Sequence, residues 1–272
     1  MQRKILIIDD HDDLASSLRS VFSVAGHEVA IVETRDEAIE FESLNDYDLV
    51  ITDLDVDNTI TNSHLNGNGN GTCLPGPVEG EAAEHVKAFK LCATNFRRDE
   101  FDENELKNFV ETVLNFKNRY VDKVDFVRNL HEKIEFELPS SILPMHSILD
   151  YLTKRVEKLG VVDASRSNLF VALDEAFVNA VKHGNKFNTQ KLVRITAELT
   201  STEASFTVED EGEGFDINSI PDPLDPDNLF KTSGRGVLFI YNIMDEVKYN
   251  ERGNRLTMVK KSKNEDPGSK AD

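Results

Sequence analysis

The sequence predicts an α/β protein of two units bridged by a helix, and three observations carry that expectation. Two short apolar runs near the start, K-I-L-I-I-D-D at 4–10 and D-Y-D-L-V-I-T-D at 46–53, end in aspartates. Three segments of the second half, E-A-F-V-N-A-V-K-H-G-N at 175–185, D-E-G-E-G-F at 210–215 and S-G-R-G-V at 233–237, carry the groups of a nucleotide pocket. Between them, apolar residues recur every seventh position. A chain of 272 residues is long enough for two full cores.

The aspartate-ended runs read as buried parallel strands, with a helix over about 13–25 and a short strand at 28–32 between them. Functional groups gather at the carboxyl ends of strands in an open α/β sheet. Asp9, Asp10 and Asp53 are therefore expected in one acidic cluster able to hold Mg²⁺, with Asp53 as a phosphate acceptor. The pattern resembles the receiver domain of response regulators, a flavodoxin-like parallel sheet, over 1–116. Beyond Asp53 the likeness degrades. Residues 58–84 are rich in Asn and Gly and hold no apolar run of strand length, which reads as a flexible loop. E-H-V-K-A-F-K-L-C-A-T then resembles a receiver's fourth helix, and N-F-R-R-D-E-F-D-E-N-E-L its fifth strand and following turn. Asp99-Glu100 stands where a receiver has Lys-Pro, so a phosphate-binding lysine is not expected. Both a phosphate switch and a module kept for binding or dimerisation fit these residues.

In the second half, Leu169, Phe170, Leu173, Ala176, Phe177, Ala180 and Val181 recur at helical spacing, predicting an amphipathic helix over 165 to about 183. Glu175 and Asn179 lie four apart on another face, where a carboxylate can act as a general base and the Asn oxygen suits Mg²⁺. Taken alone, the pair also fits a solvated polar face. Val193, Ile195, Ala197 and Leu199 alternate, as do Phe206 and Val208, giving two half-buried strands around a polar turn at 200–204. Asp210 ends the second strand, placed to accept the exocyclic amine of adenine, and Gly212 and Gly214 let the backbone approach a base. Gly234-Arg235-Gly236 opens a further helix whose free N–H groups favour phosphate, with Arg235 adding charge. Each string is weak alone, and their order and spacing join them.

Together the segments resemble the GHKL-type ATPase domain of histidine kinases, gyrase-like ATPases and bacterial anti-sigma-factor serine kinases, over 135–263. The resemblance is nearest to the last group, on the residues 175–185 and on P-L-D-P-D-N-L-F-K-T-S-G-R-G-V through G-N-R-L-T-M-V-K. It implies an α/β sandwich with a mixed sheet, ATP and Mg²⁺ as cofactors, Glu175 as catalytic base and Asn179 as magnesium ligand. It further implies Asp210 on adenine, Gly212, Gly214, Gly234 and Gly236 shaping the pocket, Thr257 near the base, and Arg235, Lys182 and His183 at the phosphates. Only nineteen residues separate Gly214 from Gly234, and Pro221, Pro223 and Pro226 stiffen them, a short lid that leans toward the serine-kinase group.

Leu106, Val113, Tyr120, Val127 and Ile134 recur every seven residues, with Phe109, Phe116, Lys123 and Leu130 offset by three. A long linking helix with 117–134 as a dimerising coiled coil is expected, although a stripe packed on its own domains has the same spacing. His131-Glu132 resembles a phosphoaccepting histidine. K-I-E-F-E-L at 133–138 already reads as a strand, however, leaving no room for a second hairpin helix, so His131 is expected to be an ordinary surface histidine.

Fifty acidic against thirty-one basic residues give a net charge of −19, and with no basic run the chain is not expected to contact nucleic acid directly. Cys73 in the loop and Cys92 in a helical stretch suggest neither a disulfide framework nor a metal site. No apolar signal region and no run of membrane-spanning length is present, so a cytoplasmic protein without membrane contact is expected, with a disordered tail over 264–272. The leading expectation is an ATP-dependent protein serine/threonine kinase that phosphorylates a small antagonist protein, with a sigma factor as a further partner. The alternatives are a nucleotide-bound anti-sigma or adaptor protein without catalysis, and a histidine-kinase-like module acting in trans.

Overall fold

A computed structural model describes residues 1–11, 13–40, 44–56, 73–74, 86–122, 131–162, 167–216 and 235–262. The N-terminal half opens β1 (Lys4–Asp9), α1 (Asp13–Val24), β2 (Glu28–Val32), α2 (Arg35–Glu40) and β3 (Leu49–Val56). β1 pairs in parallel with both β2 and β3, as the aspartate-ended runs predict. Every residue of β1 after Lys4 is buried, which is why the run reads as unbroken apolar sequence.

The next element departs from expectation. Residues 86–92 form a strand, β4 (Val86–Cys92), antiparallel to β3, where a helix was expected. Six of its seven residues are buried, so both faces are covered and no alternation marks it as a strand. A 3₁₀ turn at Thr94–Arg98 replaces the expected fifth strand. α3 (Glu103–Phe116) follows, with the Asp102 side chain accepting the Asn104 N–H at its start, and runs into a π-helical turn at Lys117–Val121. The expected helix does not continue to Ile134, because His131–Pro139 forms β5, paired with β4 on one side and β6 on the other. Residues 123–130, with Lys123, Val127 and Leu130 of the expected seam, lie outside the described residues, as do the loop at 58–72 and 75–84, residues 217–233 of the lid, and the tail. Leu106, Phe109 and Val113 are buried in the chain's own core, so the heptad spacing reflects internal packing there.

β5 leads to α4 (Met145–Lys158), α5 (Leu169–Val178), a π-helical turn at Asn179–Gly184, β6 (Leu192–Leu199), β7 (Glu203–Asp210), α6 (Arg235–Ile243), β8 (Glu246–Tyr249) and β9 (Arg255–Lys261). Among the described residues the nine strands form one sheet in the order β2-β1-β3-β4-β5-β6-β7-β9-β8. The two sheets expected from sequence are thus one, joined by the parallel β4–β5 pair. A single core of buried residues from α1, α3, α4, α5 and α6 runs along one face of this sheet from Ile5 to Met258. A smaller cluster including Leu6, Ile8, Val50 and Leu74 covers the other face of the N-terminal strands. Cys73 and Cys92 are joined in a disulfide, a correction to the sequence expectation: β4 brings Cys92 to the face where Cys73 lies.

Candidate functional site

α5 buries Leu169, Ala172, Leu173, Ala176 and Phe177 against the sheet, the apolar stripe its sequence predicts. Glu175 and Asn179 turn away from that stripe into a cavity of about 750 Å³. Lys182, His183, Asp210, Gly214 and Gly236 line the same cavity, so seven of the sequence-predicted residues meet there. Gly212 stands behind them, its N–H donating to Asp210 Oδ1 at 2.7 Å. Thr257 does not reach the cavity. It hydrogen-bonds Thr207 at 3.1 Å, and strand alternation gives the cavity floor to Val208 and Leu256 instead. Gly234 lies outside the described residues, and so does the side chain of Arg235.

Asp210 is 8% exposed, and its backbone is pinned by Asn254, whose N–H₂ donates to Asp210 O at 2.7 Å and whose O accepts the Asp210 N–H at 3.0 Å. Burial raises its pKa above the usual carboxylate range, opposed by the Gly212 N–H and by Lys191 and Arg252. Two glycines set the fit of the cavity wall at two separate places. A Cβ on Gly184 would overlap the Asp210 carboxylate, and one on Gly236 would overlap Glu175 Oε2, so a side chain at 236 would displace the Glu175 carboxylate from its place in the cavity.

Several lining residues carried no sequence signal strong enough to be singled out. Tyr249 and Phe215 meet edge to face at 5.2 Å and give the cavity an aromatic wall, and burial pushes the Tyr249 hydroxyl up to about 12. Gly253 and Asn254 lie in the turn before β9. The 175–185 segment contains Gly184 and Asn185, and the buried Asn185 binds Leu192 O at 2.8 Å and the Glu211 N–H at 2.9 Å.

The cavity is lined by a buried hydrogen-bond acceptor beside bare backbone and by a carboxylate with a carboxamide. Its size lies in the range of small-molecule sites, and the two glycine contacts form a cradle that any side chain would fill. These features fit a nucleoside phosphate, and the Asn179 oxygen has the donor chemistry Mg²⁺ takes.

The carboxylates of the expected acidic cluster are each engaged by protein groups, while β1 and β3 pair Asp9 with Asp53 in register. Asp9 accepts the N–H groups of Leu14 and Ala15 at the start of α1, both at 2.8 Å, and Asp10 accepts the Asp55 N–H at 2.8 Å. Asp53 faces Lys117, whose Nζ lies 3.1 Å and 3.2 Å from its two oxygens and 3.3 Å from Asp122 Oδ1. Among the described residues no group of three or more His, Cys, Asp or Glu could hold a metal ion. A lysine therefore does stand at Asp53, contrary to the sequence reading, and it comes from the end of α3, while Asp99 and Glu100 are exposed.

Residues 139–260 match the family model of the histidine kinase-like ATPase domain. The serine-protein kinase RsbW of Staphylococcus epidermidis is 28% identical over 147 residues, covering 51% of this chain and 92% of the relative. The serine-protein kinase RsbW of Staphylococcus aureus strain JH9 is 29% identical over 140 residues, covering 48% of this chain and 88% of the relative. No helix among the described residues is long and apolar enough to cross a membrane. The cavity, from Glu175 to Leu256, thus lies wholly within the segment that matches the histidine kinase-like ATPase domain.

Proposed function

We propose that this chain is an ATP-dependent protein serine/threonine kinase of the anti-sigma-factor type, phosphorylating a small antagonist protein and engaging a sigma factor as a further partner. The convergence of Glu175, Asn179 and Asp210 on one cavity within the ATPase-like segment carries the reading. Asp210 accepts the adenine amine, and Tyr249 and Phe215 wall the base. Lys182, His183, Arg235 and the N–H groups opening α6 hold phosphate oxygens. Glu175 takes the proton of a serine or threonine hydroxyl as its oxygen bonds to the γ-phosphorus, and the bond from that phosphorus to the β-phosphate oxygen breaks to release ADP. Mg²⁺, held through Asn179, supplies neutralisation of the phosphate charge. The N-terminal half serves as the regulatory part, acting through its packing on the ATPase-like half.

Retention of Glu175 at the cavity favours a kinase over a binder that only holds nucleotide. His131 sits half-buried in β5, a strand paired on both sides, and this restricted access disfavours it as a phosphoacceptor. The test is labelled ATP with the full chain and a candidate antagonist. Glu175→Ala is expected to keep nucleotide binding and slow transfer by about 10²–10⁴. An acid-stable phosphoprotein supports serine or threonine, an acid-labile one the histidine alternative. Complex formation without any transfer would establish the binding-only alternative.

A further inference from the structure

The 3₁₀ turn after β4 is anchored in the N-terminal half and contacts Glu211, the residue that follows the cavity-lining Asp210. Phe96 is fully buried beneath the Arg3 guanidinium, 4.4 Å from the ring centroid, and Asn95 donates to Tyr47 O at 2.7 Å. Between these anchors and α3, Arg97 points outward. Its Nη1 donates to Gln190 O at 2.8 Å and lies 3.5 Å from Glu211 Oε2. Arg97 lies outside the segment similar to the ATPase family, whereas both of its partners lie within it.

Glu211 is the residue between Asp210 and Gly212, and its position is fixed from three further sides. Oε2 accepts the Leu192 N–H at 3.0 Å, Oε1 accepts from Arg194 Nη2 at 3.0 Å, and its N–H donates to Asn185 Oδ1 at 2.9 Å. Arg97 therefore ties the 190–192 segment and the residue after Asp210 to a rigid point in the other half of the molecule. A rotation of the Glu211 backbone would re-aim the Asp210 carboxylate and the Gly212 N–H that orients it.

We infer that Arg97 is a positioning residue of the nucleotide pocket, through which the N-terminal half sets the aim of Asp210 and thereby the preference for adenine over guanine. The inference rests on the nucleotide reading of the cavity. Guanine carries a carbonyl where adenine carries its amine, so a well-aimed carboxylate accepts from one base and repels the other. The pair is partly solvated, at 30% and 32% side-chain exposure, which makes its effect one of alignment more than of stability.

The experiment is calorimetric titration of the full chain with Mg²⁺–ADP and Mg²⁺–GDP, with a melting curve for each variant. Arg97→Ala is expected to weaken ADP about threefold to tenfold while GDP changes little, so that discrimination narrows. Both contacts are made by one nitrogen, so Arg97→Lys should recover most of the ADP affinity. Adding Arg97→Ala to Glu211→Gln should cost less than Arg97→Ala costs alone, because the two act through the same carboxylate. Unchanged ADP affinity in Arg97→Ala, equal loss for ADP and GDP, or additive effects would overturn the inference while leaving the nucleotide reading intact. Wild type that binds neither nucleotide overturns both. Should Arg97→Ala fail to fold, Arg97→Gln is put through the same comparison and judged by the same outcomes.

Discussion

Replacing Lys117 by methionine tests the ion cluster beneath the N-terminal strands. The substitution keeps most of the side-chain stem and deletes an ammonium 3.1 Å from Asp53 and 3.3 Å from Asp122. Two carboxylates at 11% and 3% side-chain exposure then lose the ammonium that lies between them. Removing one partner of such a buried pair costs about 3–5 kcal/mol, a large share of a typical domain's stability. The loss should depend on pH. Burial raises Asp53 from 3.8 to about 6 in the folded protein even though Lys117 pulls it down. A carboxyl raised on folding stabilises below its unfolded pKa and loses that contribution as pH climbs through the folded value, here about two units and roughly 3 kcal/mol. Without Lys117 the folded value rises further. Near pH 5 Asp53 is mostly protonated in both proteins and the deficit should be smaller, with the lost Asp122 contact remaining, whereas near pH 8 the full deficit should appear. Urea denaturation at the two pH values measures it, and Asp53→Asn on the Lys117→Met background should restore part of the loss. A deficit that is the same at both pH values, or below about 1 kcal/mol at the higher one, would refute the reasoning.

Asp210→Asn should weaken ATP binding, because an acceptor for the adenine amine becomes a mixed donor and acceptor; calorimetry showing unchanged affinity removes Asp210 from that role. Gly236→Ala should lower phosphoryl transfer by about tenfold or more with the melting temperature nearly kept, since its Cβ would displace the Glu175 carboxylate. Val113→Glu should unfold the chain, costing about 4 kcal/mol or more, because Val113 is fully buried in the chain's own core. Sedimentation showing a folded monomer in place of a wild-type dimer would instead return Val113 to a dimer seam. A small phosphodonor should leave kinase activity nearly unchanged, because Lys117 already occupies Asp53; a large change absent from Asp53→Asn would restore the phosphate switch.

The cavity was legible in the sequence because its demands are local. A helix with its apolar stripe in the core leaves Glu175 and Asn179 together on another face, and glycines mark the backbone approaches at Gly214 and Gly236. Thr257 was misplaced by a single strand position, which is enough to change faces. The N-terminal half was harder to read once its elements were covered on both sides. β4 shows no alternation to separate it from a helix, and the seven-residue spacing of 106–134 joins a real helix to a strand that only shares its period. Contacts across long separations leave no mark in neighbouring residues. Lys117 beside Asp53 and Arg97 beside Glu211, 64 and 114 residues apart, are of this kind.

The β4–β5 ladder also bears on how the ATPase-like half survives alone. β4 occupies one flank of β5 over seven register pairs, from Val86↔His131 to Cys92↔Glu137. A chain trimmed to start at β5 would present that flank as an open row of N–H and C=O groups beside Ile134, Phe136 and Leu138, a ready template for a strand from another molecule. The N-terminal half thus acts as an internal guard against edge-to-edge self-association, and a trimmed protein is expected to be less soluble than the whole even where its fold is intact.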